Sequence, residues 1–428
     1  MRGLWTGGWF ICWMAYAGSV ASQSLPVQSV TAWNELIMTL AVDEDALLTL
    51  RGVRTLAMAH LAAAQAMDDV VKSQQDKNNG ADINQKLLVA FNQAMFTVGR
   101  SQYPGSESRL LEERQRWLEG LDVKRGERAG HRLGESVANH VLAERSSDGW
   151  DSAPAYQWHP MAPGVYAEFS DHSGTPEGFI FGAGWAQVKP FVLPSAQHFR
   201  VKPPPDIASD EYTRAFNEVK VLGATNSLQR SADQTHLALW WKDFVENSHN
   251  RLLRQLVVSR GLDGIEANKI MARLNVAIID GYISAFDSKF HYNHWRPFTA
   301  IRWAGNDQNP ATDEDSDWNN THNHTYAFPS YPSAHGTACA AAMTILADAF
   351  GDETAFTMTT ETVDIAGPMS GPQKMDPPQR HFARFSDAAQ ECAESRIYLG
   401  IHFRYDSEQG NALGTQVGRY VIERMGGG

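Results

Sequence analysis

Apolar residues recur at three- and four-residue spacing over most of this chain, a period that predicts amphipathic helices rather than strands. From Trp33 onward the pattern is helical, and Val53, Leu56, Ala57, Ala59, His60, Leu61, Ala64 and Met67 recur at helical spacing. A second run, Leu87, Leu88, Phe91, Ala94, Met95 and Val98, stops at Tyr103-Pro104-Gly105, a turn signal. Helices are expected at about 107–119, 125–145, 209–221, 231–247 and 250–260. A long helix from Gly264 to about Phe290 buries Ile270, Leu274, Ile278, Tyr282 and Phe286. Another starts after Ser333, with Ala334, Thr337, Ala338, Ala341, Met343, Leu346 and Phe350 in phase, and ends at Gly351.

Between Trp150 and Pro205 the texture changes, because nine of the chain's 19 prolines fall there. The expected organisation is an all-α chain built as helical bundles. An N-terminal bundle covers 22–150, a Pro-rich irregular connection 151–208, and a C-terminal bundle 209–428. The connection is expected to wrap on the surface, with at most short strands. Before the first bundle, Arg2 precedes an apolar run from Leu4 to Ala17 and a small-residue end at Ala21-Ser22. That order describes a secretory signal peptide over 1–21 and implies a secreted or periplasmic protein. A membrane anchor is the plainer alternative, but the run is short of the ~20 residues a spanning helix needs.

At 43% hydrophobic and 10% aromatic residues, the chain can bury a large core. The net charge of −12 argues against a nucleic-acid partner, which calls for a basic face. Any positive site must then be local, and its field can still attract anions. Of three cysteines, Cys12 leaves with the signal peptide. Cys339 lies one turn after His335 and Cys392 one turn before Arg396. A disulfide and two buried thiols are both open, and buried thiols are the plainer expectation, since packed helices do not guarantee the close Cα approach a disulfide needs.

The candidate chemistry centres on Phe328-Pro-Ser-Tyr-Pro-Ser-Ala-His335. Tyr331 precedes a proline and is pushed out of the helical region, so Ser333 is expected as the N-cap of the following helix. The N–H groups of Ala334 and His335 are then unpaired in the first turn, and such a terminus suits an oxyanion. His335 would stand beside the anion as a proton donor or acceptor. Lys289 and Arg296 are seven residues apart, about 700° of helical rotation, and so are expected to point the same way. Arg396 and His402 are six apart, out of phase on a straight helix, so that segment must bend or end, and Gly400 is the candidate. Asp406 is placed to hold the second ring nitrogen of His402, and Asp233 is a candidate counter-ion for one arginine.

Other clusters weigh less. Asp313-x-Asp315-x-Asp317 has calcium-loop spacing, but Trp318 takes the glycine position and His324 the final glutamate's; a solvated loop is expected from Asn306 to His324. His291, His294, His322, His324 and His335 invite a zinc reading, yet no ligand spacing supports it, and nearby arginines oppose a dication. Taken singly, each site residue has a bland reading: a basic helix face for Lys289 and Arg296, an ion-pair partner for Arg396, a core histidine for His402. Their joint order is the signal.

That order, Lys289…Arg296-Pro297, then Pro332-Ser333-Ala334-His335, then Ser395-Arg396…His402…Asp406, resembles the signature shared by vanadium-dependent haloperoxidases and PAP2 acid phosphatases. The extended forms KFHYNHWRPFTAIRW, FPSYPSAH and RIYLGIHFRYD resemble the haloperoxidase branch, its bacterial members in particular. Ala334 departs from the usual glycine. The resemblance implies two four-helix-bundle-like halves with the oxyanion site in the C-terminal one. It implies bound vanadate, with His402 on vanadium and Lys289, Arg296, Ser333, Ala334 and Arg396 on the oxygens. His335 would take a proton from hydrogen peroxide, Lys289 would polarise the peroxide, and a halide and a small organic acceptor would be the other reactants. Phe328 stands where algal bromoperoxidases carry a histidine, as in the chloro- and iodoperoxidases. The alternatives are a phosphatase working through a phospho-histidine at His402 and a non-catalytic oxyanion-binding protein. The halide, the acceptor and the oligomeric state stay open.

Overall fold

The computed structural model describes residues 24–45, 50–73, 80–119, 121, 125–167, 170–363 and 372–426. The expected signal peptide lies outside these residues. The fold is all-α. Its helices are α1 (Val27–Glu44), α2 (Leu50–Lys72), α3 (Gly80–Gln102), α4 (Glu107–Leu118) and α5 (Arg125–Arg145) in the first half. A short α6 (Ser170–Ser173) interrupts the connection, and α7 (Asp210–Leu222), α8 (Ala232–Trp240) and α9 (Val245–Ser259) follow. The second half holds α10 (Gly264–Tyr292), α11 (Pro297–Arg302), α12 (Ala334–Phe350), α13 (Phe385–Tyr398) and α14 (Arg404–Met425). Two small antiparallel sheets pair β1 (Phe356–Thr359) with β4 (Gln379–Phe382) and β2 (Thr362–Val363) with β3 (Gln373–Lys374).

Helices α2, α3 and α5 pack together, as do α10, α12, α13 and α14. The long α10 also lies along α2, so one continuous set of buried side chains runs through both halves. No described helix is long and apolar enough to cross a membrane.

Several helices begin where local chemistry satisfies their free N–H groups. Ser209 caps α7, Asp263 caps α10 through the N–H groups of Ile265 and Glu266, and Ser231 forms a capping box with Gln234. The expected helices 231–247 and 250–260 are divided differently: α8 stops at Trp240 and α9 already starts at Val245. The break is held by buried tryptophans, with Trp240 Nε1 donating to the Pro378 carbonyl and Trp241 Nε1 to Glu391. Periodicity across 231–260 could not show it, because both tryptophans are in phase with the helix before them.

The Pro-rich connection is irregular and straps the second half. Asp280, fully buried in α10, accepts the N–H groups of Phe191 (2.7 Å), Val192 (2.8 Å) and Leu193 (3.0 Å). Arg200 pairs with Asp287 at 2.8 Å, and the Tyr331 hydroxyl donates to the Lys202 carbonyl.

Cys339 and Cys392 form a disulfide, with Cα atoms 6.6 Å apart. The buried-thiol expectation is therefore corrected: α12 and α13 bring these two Cα atoms within disulfide range. On the other side of α12, Gly410, Gly414 and Gly418 form one face of α14. A Cβ on Gly414 would stand 2.0 Å from the Thr337 carbonyl oxygen and 2.9 Å from the Ala341 nitrogen. Small residues here let the two backbones touch, which seats the helix that follows His402. Gly414→Val is expected to push α14 off α12, destabilising the protein by about 1–3 kcal/mol as overpacking does. An unchanged thermal unfolding midpoint would count against that seating.

Candidate active site

Asp406, fully buried in the first turn of α14, organises the site. Its Oδ2 accepts from His402 Nδ1 (2.9 Å), from the Phe403 N–H (3.1 Å) and from the Ser330 hydroxyl. With Nδ1 committed as donor, His402 keeps Nε2 unprotonated. Burial raises the Asp406 carboxyl to about 6, opposed by the Ser330 hydrogen bond and Lys289. Its carboxylate therefore prevails at neutral pH and is lost as pH falls through that value.

Arg396 and His402 reach the same place because α13 ends in a Schellman turn. Gly400 has φ +80°, its N–H donates to the Ile397 carbonyl, and the Ile401 N–H donates back to the Arg396 carbonyl. A Cβ at Gly400 would also lie 2.4 Å from the Gly223 oxygen. This turn brings the out-of-phase pair together.

Lys289 and Arg296 do not share one helix face, which corrects the expectation. Helix α10 ends at Tyr292, Asn293 takes the left-handed conformation (φ 48°), and Arg296 is the N-cap of α11. They converge because both grip the extended 328–330 segment. Lys289 Nζ donates to the carbonyls of Pro329 (2.9 Å) and Ser330 (2.6 Å), and Arg296 Nε donates to that of Phe328 (3.0 Å). The Phe328 ring lies 5.3 Å from Lys289 Nζ and 4.8 Å from Arg296 Cζ, within cation–π range. Arg296 Nη1 also donates to the Ile401 carbonyl (3.0 Å) and faces His402 Nε2 (3.1 Å).

Ser333 is the N-cap of α12; its hydroxyl accepts from the Gly336 N–H at 3.2 Å, and its own N–H donates to the Asp406 carbonyl. Ala334 and His335 open the helix, where N–H groups lack intrahelical partners. Arg396 Nη1 donates to the Trp241 carbonyl at 2.8 Å. Ala334, His335, Arg396, His402 and Phe328 line one cavity of ≈ 50 Å³ together with Lys242, Phe244, Tyr282, Phe286 and Tyr326.

Burial lowers three cations of this pocket: Arg296 and Arg396 to about 10, and Lys289 well below its usual range, with Arg296 adding to the effect on Lys289. Burial, then the neighbouring cations, also keep His402 and His335 neutral. The pocket therefore gains from an anion. Arg296 Nη2, Arg396 Nε and Nη2, and His335 Nε2 are buried and have no partner among the described residues. A tetrahedral oxyanion such as vanadate fits this donor set. His402 Nε2 would be its ligand once Arg296 Nη1 turned to an oxygen.

Some assignments from sequence fall elsewhere. Asp233 pairs with Arg380 at 2.9 Å, away from both site arginines. His294 Nε2 meets the Tyr405 hydroxyl at 2.8 Å. The acidic 306–324 loop is exposed at Asp313, Glu314 and Asp317, but Trp318, Asn320, His322 and His324 are buried, which corrects the solvated-loop expectation for its second half. Sequence reasoning missed Ser330, the Trp241 carbonyl and Lys242. Ser330 lies inside the recognised FPSYPSAH segment; the other two carried no signal, since the α8–α9 break delivers them.

Residues 269–426 match the family model described as the VCPO second helical-bundle domain. The vanadium chloroperoxidase of Curvularia inaequalis is 25% identical over 273 residues, covering 50% of this chain and 44% of that protein. The chain thus spans less than half the length of this curated relative. Among solved structures, the first bacterial vanadium-dependent iodoperoxidase has a TM-score of 0.74 at 21% identity, over 94% of this chain and 98% of that one. An apo-type bacterial vanadium-dependent chloroperoxidase has a TM-score of 0.64 at 17% identity, over 87% and 93%. Residues 269–426 are thus similar to the VCPO second helical-bundle domain, and the fold over nearly the whole chain is similar to that of the solved bacterial vanadium-dependent haloperoxidases.

Proposed function

We propose that this protein is a vanadate-dependent haloperoxidase, an exported oxidoreductase that oxidises a halide with hydrogen peroxide. One observation carries the reading: Arg296 and Arg396 keep unpartnered guanidinium nitrogens, and His335 an unpartnered Nε2, beside a histidine whose Nδ1 Asp406 holds and whose Nε2 faces Arg296 Nη1. The buried disulfide supports the export part, since such bonds persist in oxidising compartments.

Vanadate, when bound, supplies a pentavalent Lewis acid that activates peroxide without changing its own oxidation state. Lys289, Arg296, Arg396, the Ser333 hydroxyl and the Ala334 N–H would hold it and neutralise the charge on its oxygens, in a pocket whose dipoles are already oriented. His335, neutral and with Nε2 bare, accepts a proton from hydrogen peroxide. Lys289 draws charge from the peroxide oxygen as the halide attacks. The halide gives up two electrons, the O–O bond breaks, and hypohalous acid and water form with uptake of one proton. A small organic acceptor then meets the halogenating species.

The reading is tested by assaying chloride, bromide, iodide and p-nitrophenyl phosphate with the purified protein, with and without orthovanadate. Halide oxidation is expected only with orthovanadate. Brisk phosphate-ester hydrolysis, with no halide oxidised by the vanadate-loaded protein, would instead favour a phosphatase working through His402.

Asp406→Asn removes the carboxylate that orients His402. Vanadate affinity is expected to fall roughly 10–100-fold, as for other partners of metal-bound histidines. In the parent protein, affinity should also fall as pH drops through about 6, because burial raises Asp406 to that value. The variant should lack this decline; titrations of both proteins that fall in parallel would refute the role given to Asp406.

His335→Ala leaves the oxygen-binding donors in place. Vanadate binding is expected to survive, while turnover drops roughly 10²–10⁴-fold, the usual worth of a positioned acid–base group. Undiminished turnover in this variant would remove His335 from the proton transfer.

A further inference from the structure

The disulfide lies against a histidine of the site. Cys339 follows His335 by one turn on α12, and Cys392 reaches both from α13. A ring nitrogen of His335 and the two sulfurs all lie within 4.8 Å of one another. Among the described residues, no other three histidine, cysteine or acidic side chains are grouped closely enough in this way to share an ion. Both cysteines are fully buried. His335 Nε2 is buried too and has no partner among the described residues. Sulfur ligates a metal as the thiolate, so the disulfide hides two of three ligands.

The spacing suits a tetrahedral ion. Zinc bonds of ~2.3 Å to sulfur and ~2.0–2.1 Å to an imidazole nitrogen place neighbouring ligand atoms roughly 3.5–3.8 Å apart. The three atoms already lie inside 4.8 Å, so side-chain rotation can meet that spacing once the sulfur–sulfur bond is broken. His335 and Cys339 share a helix face at four-residue separation, which leaves Cys392 to be brought in by the packing of α13 on α12. Arginines nearby tell against a dication held by histidines alone. Two thiolates change that balance, since they neutralise both charges of the ion. Three protein ligands leave the fourth position to a water.

We propose that Cys339, Cys392 and His335 form a site for zinc, or another thiophilic divalent cation, in the reduced protein. The disulfide and the metal are alternatives. A dithiol reductant supplies two electrons that break the sulfur–sulfur bond and two protons that make the thiols; zinc then displaces one proton from each thiol as it binds. The site rests on its own three residues. One consequence rests on the haloperoxidase reading: a His335 nitrogen bound to zinc cannot accept the peroxide proton, so the metal-loaded reduced form is inactive and the disulfide form active. Disulfides persist in oxidising compartments and thiols in reducing ones, which would confine activity to the exported protein.

The test uses the full chain in two forms, oxidised and kept reduced with a phosphine. Each is given equimolar zinc, exchanged into metal-free buffer and measured for zinc content and helical circular dichroism. The reduced form is expected to retain one zinc per chain and the oxidised form none. Cobalt(II) in place of zinc should show thiolate-to-metal charge transfer in the reduced form alone. Cys339→Ser and Cys392→Ser should each abolish that band, and His335→Ala should weaken zinc binding by at least the roughly 10–100-fold that loss of an outer partner costs. A folded reduced protein without zinc, equal zinc in both forms, or full affinity in His335→Ala would overturn the site. Should reduction unfold the chain, recovery of its helices by zinc would support the site, and no recovery would overturn it. The two readings fail separately. Zinc retained by the reduced form of a protein whose oxidised, vanadate-loaded form oxidises no halide would sink the haloperoxidase reading and leave the metal site. Halide oxidation by the oxidised form, with no zinc held by the reduced one, would do the reverse.

Discussion

One carboxylate oxygen, Asp406 Oδ2, receives the His402 imidazole, the Phe403 N–H and the Ser330 hydroxyl. The main-chain carbonyl of the same residue receives the Ser333 N–H. Asp406 thereby joins the extended 328–333 segment, the start of α12 and the turn into α14. Lys289 and Arg296 grip the same extended segment from the other direction through its carbonyls. Hydrogen bonds in a buried setting hold these segments more firmly than exposed ones would. Geometry at the site is therefore set before any ligand arrives.

The pocket holds this arrangement at an electrostatic cost. Three cations are buried with few carboxylates nearby, and the carbonyls that orient them neutralise no charge. Burial pulls each cation toward its neutral form, as desolvation does. An oxyanion relieves that cost, so the affinity of the pocket for anions and its instability when empty of charge have the same origin. Neutral histidines complete the design. A protonated His402 would have no lone pair to offer, and burial, then the surrounding cations, keep it unprotonated.

The supporting structure reaches beyond the site's own residues. Asp280 binds three successive N–H groups of the Pro-rich connection and fastens that strap to α10. The disulfide joins α12, which presents Ser333 and His335, to α13, which presents Arg396. The glycine face of α14 brings it onto the backbone of α12. A side-chain carboxylate, a disulfide and a close backbone contact thus fix how the segments that carry the donors sit against one another.

The helices around Val53–Met67, Leu87–Val98, Gly264–Phe290 and Ala334–Phe350 were legible in the sequence because each buries one face against a large core, and periodicity records that burial. The order Lys289, Arg296, Ser333, His335, Arg396, His402 and Asp406 was legible because the residue types are chemically distinctive and their spacing is short within each segment. The tertiary structure decided how they meet. Lys289 and Arg296 are united by carbonyls of a third segment rather than by a helix face, and the Cys339–Cys392 bond depends on an interhelical distance that no spacing encodes. The buried pair His322 and His324 sits in a segment read as a solvated loop, because polarity along the chain does not report which side chains neighbouring elements cover. Local periodicity follows from contacts each segment repeats along its own length. Pairing across segments depends on the relative placement of whole helices, and only the packed molecule determines it.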